Sequence, residues 1–309
     1  MALDPVFAVI DLGSNSFRLE LSTMTKGKFK RLAYHKETVR LGGGLDAEKN
    51  LSPAALDKGL ACLRQFAQVL AQAQPHYVRA IATQTLREAK NAAVFAQEAE
   101  AILGCPMEII SGREEARLIY QGVSSRLPLS SEQRLVMDIG GRSTEIISGQ
   151  GGAARVAESF PIGSVSMSQQ FFPEGRLNKT AFAAAQRGAQ SILGDLLVLY
   201  PKRDWTLAYG SAGTTSAVAD ILQAAGFATD AVSLEGLDWL EAQMLQAGSS
   251  AELQLPGLKE DRRPVLGGGF ATLRALFSAL DITELKIVSG ALRHGVLQEL
   301  LKSSVVPAL

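Results

Sequence analysis

Two short loops are the first places to look for chemistry. Asp11-Leu12-Gly13-Ser14-Asn15-Ser16 and Asp138-Ile139-Gly140-Gly141-Arg142-Ser143 carry Asp, Gly and Ser at one spacing, each after an apolar run. The second lies 127 residues beyond the first. Glycine lets backbone N–H groups converge on one point, which is how turn nests hold phosphate oxygens, and a nearby carboxylate can hold a bridging cation. One such loop reads as readily as a hairpin turn. Two, each opening its own half, predict a duplicated domain whose loops face each other across a cleft and grip one phosphoryl group.

Neither loop is a dinucleotide fingerprint, which needs a helix after the glycines where here a strand follows. Gly210-Ser211-Ala212-Gly213-Thr214 does precede a helix and is a third candidate anion site. Ser111-Gly112-Arg113-Glu114-Glu115 separates two carboxylates by role. Ser111 and Glu114 have the spacing of a capping box, which leaves Glu115 free on the first helical turn. A carboxylate there can act as general base on water, or can simply be a solvated group favoured by the helix dipole. Thr85 and Glu88 form a second capping-box pattern, and Arg87 beside them offers a guanidinium fork to phosphate or to a surface ion pair; Arg40 reads the same way. His35, His76 and His294 stand apart from one another and from both cysteines, so neither zinc nor a His-dependent triad is supported.

The elements that must position these residues alternate between strand and helix, which predicts an α/β class. Residues 7–10 and 17–21 read as strand, turn, strand, and 29–39 as a further strand. Ser52-Pro53 opens a helix to Pro75, with Cys62 in its core face. Strands at 78–81 and 107–110 alternate with helices over 85–103 and 111–127. After Pro128-Leu129-Ser130-Ser131, the best linker, the pattern restarts at 134–147. A helix over 178–200, a strand at 205–208, a helix to 222, a helix over 265–280, a strand at 285–288 and a closing helix at 291–301 follow. Residues 228–264 read as helix with a loop. The 309 residues therefore divide into lobes 1–128 and 129–290, followed by a closing segment at 291–309.

Basic and acidic residues each number 31, which removes the overall basic field that would gather nucleic acid or an anionic membrane. Two cysteines make no disulfide framework, and neither a secretory signal nor a membrane-length apolar run is visible, so a soluble cytoplasmic protein is expected.

Six ordered stretches resemble the exopolyphosphatase/guanosine pentaphosphate phosphatase family, within the actin-like ATPase and sugar kinase superfamily: 8–18, 81–91, 108–123, 136–145, 210–214 and 289–297. The resemblance implies two ribonuclease H-like lobes with the active site in the cleft between them, and a closing helix at 291–309 that packs back on the first lobe. It also implies Mg2+-dependent release of the terminal phosphate of a linear phosphoanhydride, with inorganic polyphosphate or guanosine pentaphosphate as substrate, and a homodimer. By position, Glu115 is the implied catalytic carboxylate. Asp11, Asp138 and Glu145 are the implied metal-side carboxylates. The implied phosphate-binding set is Gly13, Ser14, Asn15, Ser16, Arg87, Gly140, Gly141, Arg142, Ser143, Thr144 and Gly213. The match ends before the C-terminal helical domains of longer members. Arg142, Gly43, Ser289 and His294 depart from the family pattern, where Gly, an acidic residue, Asp and Glu are usual. Two rival classes share the superfamily fold: a nucleotide-dependent small-molecule kinase with an adenosine pocket near Gly210–Thr214, and a non-catalytic nucleotide binder that assembles or couples to a partner.

Overall fold

The computed structural model describes residues 4–305. Its contacts group into two compact units, one running to Leu118 and resuming at Leu292, the other spanning Ile119–Ala291.

The first unit opens with an antiparallel meander: β1 (Val6–Leu12), β2 (Phe17–Thr25) and β3 (Lys28–Glu37). Helix α1 (Pro53–Ala73), β4 (Tyr77–Ala82), the short α2 (Gln84–Glu88), α3 (Ala92–Leu103), β5 (Met107–Ile109) and α4 (Gly112–Ser124) follow. The sheet order is β3-β2-β1-β4-β5, with β1, β4 and β5 parallel. β1 is buried along nearly its whole length, which is why it reads as a continuous apolar run. The Ser52 side chain accepts from the Ala55 N–H and Pro53 starts α1, as the sequence predicts. The buried stripe of α1 (Leu60, Leu63, Phe66, Leu70, with Cys62 beside it) meets Ile10, Leu12, Leu19 and Phe95 in one core. Burial pushes the Cys62 thiol up to about 12, so it packs as a small hydrophobe.

One expectation fails here. The single helix over 85–103 is two helices, broken at Ala89–Asn91. The Asn91 side chain accepts from the Leu51 N–H at 2.9 Å and donates to the Leu51 carbonyl at 3.0 Å, drawing the chain out of helical register. The Thr85–Glu88 capping box does not form either: Thr83 is at the cap position and Glu88 accepts from the Gln84 amide.

The second unit repeats the plan. It contains β6 (Gln133–Ile139), β7 (Thr144–Gln150), β8 (Ala153–Phe160), α5 (Ser164–Phe171), α6 (Lys179–Leu193), α7 (Leu196–Leu199), β9 (Leu207–Ser211) and α8 (Ala212–Ala224). Then come β10 (Ala231–Ser233), α9 (Leu234–Ala247), α10 (Leu266–Leu280) and β11 (Glu284–Ile287). The order is β10-β11-β9-β6-β7-β8. Without the added edge strand β10, this is the order of the first sheet, with β6, β9 and β11 parallel. Both units thus have the ribonuclease H-like topology.

Three further expectations shift in this unit. The helix over 178–200 ends at Leu193 because Gly194 takes φ 62°, and Asp195 then caps α7. The strand expected at 205–208 runs over Leu207–Ser211, since Trp205 is a buried anchor whose indole N–H donates to the Tyr200 carbonyl. Residues 228–264 hold β10 as well as α9.

The unit boundary falls inside α4, upstream of the Pro128–Ser131 segment expected to be the linker. That segment is pinned down. The buried Arg134 side chain bonds Glu132 at 2.7 Å and both the Pro128 carbonyl and Ser130 Oγ at 2.9 Å. Helix α11 (Leu292–Val305) belongs to the first unit and packs on β1 and β4. Its Arg293 donates to the buried Glu20 at 2.7 Å, and its Glu299 accepts from Arg79 and Arg117. No helix among the described residues is long and apolar enough to cross a membrane.

Helix α11 packs closely on α4 at Gly295, where an added Cβ would overlap the Leu118 carbonyl oxygen. Gly295→Ala should therefore push the helices apart at a cost of about 1–3 kcal/mol. Thermal unfolding should show a clear drop in Tm, and an unchanged Tm would mean that this contact is not tight in solution.

Candidate active site

In the first unit, the three parallel strands deliver their following segments to one edge of the sheet, the place where open α/β sheets bind ligands. The Ile110 N–H reaches the Ala82 carbonyl and the Thr83 N–H the Leu12 carbonyl, so β1, β4 and β5 end level. β1 leads into Gly13–Ser16, β4 into α2 with Arg87, and β5 into α4 with Glu115.

The Gly13–Ser16 loop is buried at Ser14, Asn15 and Ser16. Its outward carbonyls are tied off: Ser14 accepts from the Gly42 N–H at 2.8 Å, and Asn15 from the Arg40 N–H at 2.9 Å. Arg40 takes a left-handed φ of 59° to make this contact, while its side chain is exposed. Gly43 lies in the same single turn, Leu41–Gly44. Both polar atoms of the Asn15 amide, and the Ser16 hydroxyl, are buried with no hydrogen-bond partner among the described residues. Each buried polar group left this way costs about 1–3 kcal/mol, which a ligand bonded there would recover.

Glu115 is buried, and its Oε2 accepts from Arg87 Nη1 at 2.8 Å. The same guanidinium donates to the Ile110 carbonyl at 2.9 Å and holds the Gln84 side-chain oxygen through Nε and Nη2 at 3.1 and 2.7 Å. Glu115 is thus oriented by an arginine and is not the free first-turn carboxylate expected. Arg87 is engaged with protein groups through Nε and both terminal nitrogens. Half of the predicted capping box at Ser111 is present: its Oγ accepts from the Glu114 N–H at 3.2 Å, but the Glu114 carboxylate turns to Arg117.

The second unit presents the same edge. A Cβ on Gly140 would lie 3.0 Å from the Ser143 carbonyl, the relation that Gly13 has to Ser16. Here the loop carbonyls cap a helix. Gly140 accepts from the Ser164 N–H at 2.9 Å and Gly141 from the Val165 N–H at 2.7 Å, both at the start of α5. The approach is so close that a side chain at Gly163 would strike the Gly141 backbone at 2.6 Å. Thr144 is spent on structure, its buried hydroxyl donating to the Ile162 carbonyl at 2.7 Å. The Arg142 guanidinium reaches Gln169 on α5 at 3.5 Å. At the third candidate anion site, Gly210 and Ser211 are the end of β9 and not a turn. Gly213 sits in the first turn of α8, with the Arg262 guanidinium filling the space that its Cβ would occupy.

The two hairpins differ at one register position. Asp11 faces Arg18 across β1 and β2, and the two form an ion pair at 3.0 Å. Asp138 faces Glu145 across β6 and β7, so the second unit sets two carboxylates side by side. Ser211 Oγ lies 3.0 Å from Asp138 Oδ2 and 2.8 Å from the Gly290 carbonyl, its one proton serving either acceptor; Ser159 donates to Glu145 at 2.7 Å.

No cluster of three or more His, Cys, Asp or Glu side chains that would cage a metal occurs among the described residues. Mg2+ does not need one, because it keeps several waters and binds through one or two carboxylates and substrate phosphates. Asp138 and Glu145 fit that requirement, as buried hard-oxygen donors directly opposed, where like charges otherwise repel. Asp11 fits it less well, since Arg18 already neutralises it.

Arg18, Ser159, Gln84 and the start of α5 escaped the reading of the sequence, and Ser211 was read as part of the third candidate anion site and not as a partner of Asp138. For Arg18 a signal existed. The offset that aligns Asp11 with Asp138 also aligns Arg18 with Glu145. Ser211 and Ser159 arrive through strand pairing, which the loops do not announce. Of the departing residues, His294 is buried on the first turns of α11 and Ser289 precedes Gly290, near Ser211.

The chain resembles solved structures along almost its whole length. An exopolyphosphatase from Cytophaga hutchinsonii matches at TM-score 0.87 and 24% identity, covering 96% of this chain and 98% of that one. The Aquifex aeolicus member of the Ppx/GppA family matches at TM-score 0.78 and 23% identity, over 98% and 99% of the two chains. At these identities the likeness shows the fold. The sequence model of the Ppx/GppA phosphatase family matches residues 21–304. With that match over nearly the entire chain, and with paired strand-end loops that carry buried polar groups, the chain belongs to the Ppx/GppA phosphatase family.

Proposed function

We propose that the protein hydrolyses the terminal phosphoanhydride bond of inorganic polyphosphate with Mg2+ and releases orthophosphate. The observation that carries this reading is in the first unit. A buried, arginine-oriented Glu115 shares a sheet edge with a loop whose Asn15 amide N–H and Ser16 hydroxyl donors have no partner among the described residues. Those are the two things phosphoanhydride hydrolysis needs from a protein, a base for water and donors for a phosphoryl group.

Asn15, Ser16 and the loop amides hold the terminal phosphoryl group. Glu115 takes a proton from water as the water oxygen bonds to phosphorus. The bridging P–O bond breaks, and its electron pair leaves with the shortened chain. Arg87 fixes one Glu115 oxygen, so the carboxylate is already aimed before substrate arrives. Asp138 and Glu145 of the second unit are the residues that would hold Mg2+, which would supply positive charge to a phosphate ligand. Guanosine pentaphosphate presents the same terminal anhydride and is the second substrate to test.

Orthophosphate release from polyphosphate, guanosine pentaphosphate and ATP, each with Mg2+, decides the substrate. Release from polyphosphate is expected, and turnover of ATP only with an added acceptor would point to a kinase. Glu115→Gln should lower kcat by about 10²–10⁴-fold with the melting temperature little changed. Near-normal turnover in that variant would remove Glu115 from the mechanism. Asp138→Asn should shift the Mg2+ activation curve to higher concentrations, and an unmoved curve would place the cation elsewhere.

A further inference from the structure

The most strongly charged surface segment lies outside the residues used above. Lys26, Lys28, Lys30, Arg31 and Lys36 place five of the 31 basic residues within eleven positions, with no acidic residue among them, in a chain whose net charge is zero. All five side chains are exposed. They occupy β3 and the turn before it, and β3 is the edge strand of its sheet.

Lysine on an edge strand has a bland explanation, since charge there blocks edge-to-edge aggregation. The duplication supplies an internal control. β8 is the corresponding edge strand of the second unit, at the same place in the same topology. It carries one basic residue, Arg155, and one acidic residue, Glu158. Edge protection in this fold does not call for five cations.

The position of the segment points to what the charge is for. Lys36 pairs in register with Arg18, and Glu37 with Phe17, the residue that follows the Gly13–Ser16 loop. One end of β3 therefore lies beside the loop and the strand leads away from it, covering about 27 Å from Lys36 to Lys28 at the usual rise per residue. Part way along, one of these cations is joined by another from α11. Arg31 and Arg293 both pair with the buried Glu20, at 3.3 and 2.7 Å, and both guanidiniums lie over the Tyr34 ring. Two positive charges on one carboxylate leave that stretch positive as well.

We propose that β3 is an electrostatic track for a long polyanion, and that it holds the distal part of a polyphosphate chain whose end occupies the Gly13–Ser16 loop. This rests on the reading of that loop as the terminal-phosphate site. The track makes the protein favour long chains by binding phosphates remote from the reacting one, through exposed charges whose attraction salt screens.

The test separates binding from turnover. Binding of long-chain inorganic polyphosphate is measured with Glu115→Gln protein, with and without Lys28→Glu and Lys30→Glu. Charge reversal keeps the edge charged, so protection against aggregation is retained while attraction for polyanions is lost. The reversed pair should weaken long-chain binding by about tenfold or more at low salt and flatten its salt dependence. In protein retaining Glu115, it should leave tripolyphosphate hydrolysis unchanged. Lys28→Arg with Lys30→Arg should bind like the parent, which distinguishes lost charge from a damaged strand. Equal long-chain affinity in the reversed and parent proteins would overturn the track. So would tighter binding of single-stranded RNA than of polyphosphate at matched charge. If the parent binds long chains through these lysines but releases no phosphate from any substrate, the hydrolase reading fails and the polyanion surface stands.

Discussion

The level ending of three parallel strands is what the chemistry of the first unit depends on. β1, β4 and β5 come from distant parts of the chain, and their pairing brings Gly13–Ser16, Arg87 and Glu115 to a single sheet edge. Each residue is then held by local bonds that serve that edge. Ser111 caps the helix that carries Glu115, Gln84 and the Ile110 carbonyl fix Arg87, and the turn after Arg40 braces the loop. Most of the catalytic help expected for phosphoryl transfer is positioning and electrostatics, and a sheet edge braced in this way supplies positioning before any substrate arrives.

Duplication gave the protein two copies of one hairpin, and one register position shows how they diverged. Asp11 meets an arginine, while Asp138 meets a glutamate. The first arrangement neutralises the aspartate internally. The second concentrates oxygen donors and negative charge, an arrangement suited to a hard divalent cation. The edge strands diverged as well, since β3 is strongly basic and β8 is nearly balanced. A common topology thus carries three separate electrostatic assignments, and side chains at equivalent positions make the difference.

The strands and loops at the start of each half were legible because their residues argue locally. An apolar run of strand length, a glycine turn and a serine before proline each restrict the nearby backbone whatever the rest of the chain does. One failure was local, where Gly194 ends a helix early; others came where a distant residue or a charged neighbour overrode the local preference. Asn91 breaks a helix that its neighbours favour because it bonds the Leu51 backbone. Glu114 abandons its capping box because Arg117 offers a charged partner. The Pro128–Ser131 stretch has the composition of a linker, yet Arg134 ties it into the packed structure.

The amino-acid sequence alone determined the α/β alternation, the duplication, the two glycine loops and the family resemblance, all of which rest on residue type and spacing along the chain. Tertiary structure decided the pairing of Glu115 with Arg87, the neutralisation of Asp11 by Arg18, the opposition of Asp138 and Glu145, and the burial of the Asn15 and Ser16 side-chain polar atoms with no partner among the described residues. These are facts about which side chains meet and which are cut off from water. Strand register and burial set them, and both depend on contacts between residues far apart in the chain.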